Sequence, residues 1–211
     1  MEQPLPAWER LRELGPLTAF FRTVWDVVSR PVSFFEALPA GGPVPPAVLF
    51  WALTTLPPMV VSGMQANSFL NEVISITMTS PRPGYLQIPW WVLTVAAPLL
   101  QFVSLLTGLA VVHMLLQMMG RAGGGWRGTF RAGGYASGPA VFGFVPLVGA
   151  PLAAVWVAVL QFVALKRVHR VPAWVLLLAY MLPVLAILLI GVAVLLIVIS
   201  FVSPDLLNLQ I

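Results

Sequence analysis

Apolar positions gather into four long stretches without a charged residue: Ala47–Ala66, Pro89–Gly120, Ala132–Leu165 and Val171–Val202. A helix crossing a hydrocarbon core of roughly 30 Å needs about 20 mostly apolar residues. The first stretch fits one crossing. The second, opened by the interfacial Pro89-Trp90-Trp91, and the fourth are longer than one crossing needs, and they tilt, kink at Pro98 or Pro183, or run into the interface. The third has 34 residues and is broken near Pro146-Leu147-Val148-Gly149. It reads as two short passes, 132–148 and 149–165, or as a re-entrant hairpin. At about 1.5 Å per residue each arm spans only about 25 Å. The expected fold is an all-α integral membrane protein with about five transmembrane helices, at about 47–66, 89–119, 132–148, 149–165 and 172–202. A segment 1–46 precedes them and a short tail, 203–211, follows.

Ahead of the first pass the pattern changes. Leu17, Phe20, Phe21, Val24 and Val28 fall on one face of a helix. That helix should stop at Arg30, because Pro31 disfavours helical geometry before it. Ser33 and Glu36 have capping-box spacing for a short helix carrying Phe34, Phe35 and Leu38. Ala7–Leu14 suits another short helix ended by Gly15. These helices either lie in the headgroup layer or pack on the ends of the membrane helices. Residues 39–46, rich in Pro and Gly, form a stiff linker.

Charge fixes the expected orientation. Basic residues concentrate on the cytoplasmic side of short loops. The N-terminal segment holds Arg10, Arg12, Arg22 and Arg30; the loop at 121–131 holds Arg121, Arg127 and Arg131; the turn after the fourth pass holds Lys166, Arg167 and Arg170. The intervening segments hold only Arg82. The N-terminus is expected in the cytoplasm, the C-terminus outside. The first 46 residues mix four Arg with four Glu and one Asp, unlike a secretory signal.

Composition narrows the function. Charged residues make up 9% of the 211 residues and apolar ones 59%, whereas soluble domains average about 25% charged. There is no cysteine, so thiolate metal sites and cysteine nucleophiles are excluded. No Asp or Glu lies inside a proposed pass, which argues against an ion-coupled pump. No acid–base or nucleophile set is apparent, and neither a cofactor nor a nucleic-acid partner is expected. Gly123-Gly124-Gly125 follows a membrane helix rather than a strand and reads as a turn. His113 pairs with Gln117 one turn on or with a backbone carbonyl; the rival reading is a proton or ligand site. His169 is expected to be solvated. Gly134, Tyr135, Ser137, Pro139, Pro146 and Gly149 mark a tightly packed helix core or, alternatively, the wall of a cavity. The basic set Arg121, Arg127, Arg131, Lys166, Arg167 and Arg170 is expected to touch anionic lipid headgroups.

Two elements carry a resemblance. One is Pro31-Val32-Ser33-Phe34-Phe35. The other runs from Gly123 to Gly149: a glycine cluster, Thr129-Phe130-Arg131, Tyr135-Ala136-Ser137-Gly138-Pro139, then Val145-Pro146-Leu147-Val148-Gly149. Together they resemble the Yip1 domain family of multi-spanning membrane proteins, over about residues 17–200. The resemblance implies five membrane helices with a cytoplasmic N-terminus. Eukaryotic members are linked to vesicle traffic and Rab-type GTPases, but the 46-residue N-terminal segment is short for such a site, and the chain is more similar to the prokaryotic branch. The expectation is a non-enzymatic protein of a prokaryotic inner membrane that organises membrane or acts as an adaptor, through lipids and a protein partner or second copy. The alternative is a small transporter of lipid or an amphiphilic solute. A polar cavity beside Tyr135, Ser137 and His113 would favour transport; dense packing there would favour the adaptor.

Overall fold

In a computed structural model the described residues are 5–77, 90–145 and 148–202, with side chains described over 5–65, 95–145 and 148–199. Pro146, Arg82 and the tail 203–211 lie outside them. Among the described residues there is no strand. The 3₁₀ helix η1 (Ala7–Arg10) leads into α1 (Leu11–Leu14), α2 (Pro16–Ser29) and α3 (Pro31–Ala37). The long helices α4 (Pro45–Thr77) and α5 (Trp90–Met118) follow. Then come α6 (Gly125–Ala136), the 3₁₀ helix η2 (Gly138–Phe144), α7 (Gly149–His169) and α8 (Ala173–Val202). Four helices are long and apolar enough to cross a membrane, in Pro45–Gln65, Val95–Met118, Gly149–His169 and Ala173–Ile199.

The short expected pass at 132–148 is not one continuous helix. It consists of the second half of α6 and the whole of η2. Pro139 has no N–H to give to the carbonyl one turn back, so the α-helix cannot continue. The backbone tightens instead, and the Ala140 N–H donates to the Ser137 carbonyl at 2.8 Å. Both α6 and η2 pack along α7. The third apolar stretch is therefore a hairpin with one broken arm and one unbroken arm.

The helix ends gather at one pole. The α5 end and the α7 end close with the same motif, in which the chain turns left-handed just past the helix. Gly120 (φ 66°) does this after α5, and the Arg121 N–H reaches the Leu116 carbonyl at 2.8 Å. Arg170 (φ 54°) does it after α7, and the Val171 N–H reaches the Lys166 carbonyl at 3.1 Å. The starts of α4 and α6 and the N-terminal helices pack at this same pole. All ten basic residues assigned to one side by the charge pattern belong to segments gathered here.

Two local expectations are corrected. Ser33 does not cap α3: its hydroxyl donates to the Arg30 carbonyl at 3.1 Å, because Pro31 already occupies the first turn. The apolar face of α2 is also wider than the expected stripe. Ala19, Thr23, Val24 and Val27 face the bundle, where the small side chains allow close approach. The Trp8 N–H donates to Thr23 Oγ1 at 2.8 Å. Leu17, Phe21 and Trp25 lie on the far edge of the arc and are exposed. The short helix ended by Gly15 forms as expected, with Gly15 at φ 75°. From Met181 onward α8 is exposed or half-exposed at every described side chain, as expected of a helix facing lipid.

Candidate functional site

The pole is organised around a buried arginine. Arg131 on α6 is wholly buried, so it cannot be the headgroup contact expected of it. Its Nη2 donates to Glu9 Oε1 at 2.7 Å and its Nη1 to the Pro43 carbonyl at 3.0 Å. The Tyr135 hydroxyl, one helical turn along α6, donates to the same Glu9 oxygen at 2.7 Å. A Cβ on Gly42 would run into the guanidinium, so that linker glycine closes over it. Arg131 Nε is buried and has no hydrogen-bond partner among the described residues. Phe34 and Phe50 pack their rings on Tyr135, and the Trp8 indole N–H donates to the Pro46 carbonyl at 2.9 Å. Thus η1, the linker and α6 are locked together, and the N-terminal segment is part of the membrane bundle.

A second polar cluster sits where α5, α6 and α7 meet. Gln117 is exposed and is not the partner of His113. That partner is Thr129 on α6, whose Oγ1 lies 2.7 Å from His113 Nδ1. His169, expected to be solvated, is buried, and its Nε2 lies 2.8 Å from the same hydroxyl. The Gly124 N–H donates to His169 Nδ1 at 3.1 Å, so that nitrogen carries no proton and Nε2–H donates to Thr129. The Thr129 hydroxyl also faces the Gly125 carbonyl at 3.2 Å. One hydroxyl thus ties the glycine loop to both histidines. Replacing Thr129 with Val should leave two ring nitrogens unsatisfied and lower stability by about 2 kcal/mol, whereas Thr129→Ser should cost far less. The unfolding midpoint of the purified protein under increasing denaturing detergent checks this. Among the described residues no three His, Asp or Glu side chains group closely enough to hold a metal ion.

The glycines and prolines of α6 and η2 occupy tight packing positions. Gly134 abuts Ala47 of α4, Gly138 abuts Val27 of α2, and Gly149 sits against the Phe142 carbonyl. Pro139 is buried. Ser137, where α6 gives way to η2, donates to the Gly134 carbonyl at 2.6 Å and lies 2.9 Å from the Thr54 hydroxyl on α4. Ser137 also touches a hollow of about 290 Å³ between α4, α5, η2 and α7. Tyr135 and His113 do not border that hollow.

The remaining expected contacts stay at the surface. Arg121, Arg127 and Arg170 are exposed and Lys166 is half-buried. Arg167 is half-exposed and pairs with Glu36 on α3 at 2.6 Å. Arg10 pairs with Glu13. Among the described residues these two pairs and Arg131–Glu9 are the only ion pairs. Among the described residues of the pole, Arg12, Arg22, Arg30, Arg121, Arg127, Lys166 and Arg170 have none, against one acid, Asp26, likewise without one. The pole is strongly cationic after its internal pairs are removed.

Glu9 and Thr129 hold the two clusters together, and neither stood out in the sequence. Glu9 is one of four Glu in a polar segment, and Thr129 is a single hydroxyl in a glycine-rich loop. The Yip1 domain model matches residues 25–195, which takes in everything from the second half of α2 to most of α8. Comparison with curated proteins and with solved structures gives no match. The matched span includes Arg131, Thr129, His113, His169 and the broken α6–η2 arm, and with most of its length covered this multi-pass membrane chain belongs to the Yip1 domain family.

Proposed function

We propose that this protein is a non-enzymatic membrane organiser or adaptor that works from its cationic pole, by binding anionic lipid headgroups and seating α2 in the interface. The observation that carries this reading is the combination of seven cations without an ion-pair partner among the described residues and an exposed apolar edge on α2. Leu17, Phe21 and Trp25 are 73%, 62% and 67% exposed. Phe21 and Trp25 border an apolar hollow shared with Val141 and Phe142 of η2. An apolar edge next to cations is what an interfacial helix needs. On this reading the pole faces the cytoplasm of a prokaryotic cell, the protein sits in its inner membrane, and the chain ends outside.

The test uses the exposed arginines and spares buried Arg131. Each well-placed Lys or Arg near an anionic surface contributes about 1 kcal/mol. The triple variant Arg121→Gln, Arg127→Gln, Arg170→Gln should therefore bind anionic lipid roughly a hundredfold more weakly. Titration of phosphatidylglycerol into the purified protein, followed by native mass spectrometry, reads this directly. Equal retention by both proteins would rule the reading out.

The transport reading has one observation in its favour, the hollow at Ser137. Against it stand the packing at Tyr135 and at His113, both buried and hydrogen-bonded to neighbouring side chains.

A further inference from the structure

Polar side chains inside a membrane bundle are costly unless something satisfies them. Most buried ones in this protein are satisfied. Thr54 bonds the carbonyls one turn back and faces Ser137; Thr129 bonds two histidines. Thr55 on α4 breaks this pattern. Thr55 is 8% exposed, and its Oγ1 is fully buried with no hydrogen-bond partner. Gln101 on α5 is exposed and Gln161 on α7 half-buried, and neither makes a hydrogen bond among the described residues. All three border the hollow of about 290 Å³ at Ser137.

Their depth rules out simple wetting from the surface. Gln161 lies eight residues, about 12 Å, before His169, and Gln101 twelve residues, about 18 Å, before His113. Both histidines belong to the polar pole. The glutamines therefore sit near half-depth of a core roughly 30 Å thick. Pro58 also borders the hollow, and it deprives the Thr54 carbonyl of its helical donor.

The hollow has a second compartment. Gln101, Leu105 and Gln161 also border a groove of about 570 Å³ that runs between α5, α7 and α8. Its other walls are mostly apolar, with Leu109, Val112, Pro183 and Ile187, and Ser104, Thr107 and Tyr180 also border it. Beyond it α8 faces the lipid. No Asp, Glu, Lys or Arg borders either compartment. The arrangement is a small polar-tipped chamber opening into a mostly apolar groove, with two amides at the junction.

We infer that this chamber binds a neutral, single-chain amphiphile that enters from the bilayer. Its uncharged hydroxyl- or ester-bearing head would meet Thr55, Gln101 and Gln161, which offer both donors and acceptors. Its chain would lie in the α5–α8 groove. A charged head is disfavoured, because no opposite charge is present to offset its desolvation at this depth. The chamber lies away from the cationic pole, so this inference stands or falls separately from headgroup binding there.

The test is binding of radiolabelled monooleoylglycerol to the full chain, purified in a detergent free of glycerides. Wild type should bind it saturably, and oleoyl phosphate should compete poorly. The double variant Gln101→Leu, Gln161→Leu should weaken binding about tenfold, the loss of roughly two modest hydrogen bonds. It should be no less stable than wild type, because it removes unpaired amides from an apolar setting. A second variant, Ala154→Phe, fills the chamber and should abolish binding without touching either amide. Equal binding by wild type and both variants would overturn the inference. So would oleoyl phosphate competing as well as the glyceride. A dimer in wild type that the double variant loses would overturn it too, assigning the glutamines to contact with a second copy.

Discussion

Changing Glu9 to Ala is expected to destabilise the protein by roughly 3–5 kcal/mol, the cost of stranding a buried charge. Arg131 has no exposed surface and Glu9 has 5%. The Pro43 carbonyl at 3.0 Å would remain as a partner for the guanidinium, but it carries no charge. The Tyr135 hydroxyl would lose its acceptor at 2.7 Å at the same time. Nothing at the site can move to replace the carboxylate, because Gly42 closes over the guanidinium and Phe34 and Phe50 flank Tyr135. Unfolding of the purified protein by titrated denaturing detergent measures the loss.

A paired substitution separates the charge from the packing. Glu9→Leu with Arg131→Met removes both charges and keeps the volume. Buried ion pairs replaced by apolar residues of similar size are often neutral or stabilising. The double variant is therefore expected to recover most of the stability that Glu9→Ala loses. A double variant as unstable as the single one would mean that the pair itself, and not the avoidance of a lone charge, holds η1 on α6. Either way the lipid titration should separate this ion pair from the exposed arginines, since Arg131 has no surface to offer a headgroup.

The sequence made the membrane helices legible because their cause is one-dimensional. A run without charge must sit in lipid, and the cost of breaking that rule is paid locally, residue by residue. The gathering of the arginines at one pole followed from the same rule. The broken arm at α6–η2 was legible only in part. The expected break lay near Pro146, whereas the α-helix gives way at Pro139, and the choice between a thin helix and an α-to-3₁₀ switch depends on neighbours. The clusters were least legible because each is closed by a residue far away in the chain. Glu9 and Arg131 are 122 positions apart, and Thr129 and His169 are 40 apart. Local spacing instead offered His113 with Gln117 and Ser33 with Glu36, pairs of the right period that the tertiary structure does not use. A helical repeat places side chains on a face; it does not say which face meets which helix.

The same limit applies to Gly134, where the expected result is again large. A Cβ there would lie 2.7 Å from the Ala47 carbonyl oxygen, 3.0 Å from its carbon and 3.0 Å from its Cβ. Two of these atoms are backbone, so no rotamer change relieves the contact, and α4 must move away from α6. Overpacking in a close-packed interior usually costs about 1–3 kcal/mol. Gly134→Ala should reach the upper end of that range, because the shift also disturbs the start of α4, where the Pro43 carbonyl holds Arg131 and the Pro46 carbonyl holds Trp8. Gly191→Ala in α8 is the matched control. A Cβ there meets nothing within 4 Å, so alanine should be neutral or stabilise the helix by up to about 1 kcal/mol. Adding Ala47→Gly to Gly134→Ala removes one clash of the three and leaves the two backbone atoms in place. Partial recovery is therefore expected, and full recovery would show that the helices are held apart by side chains at this crossing.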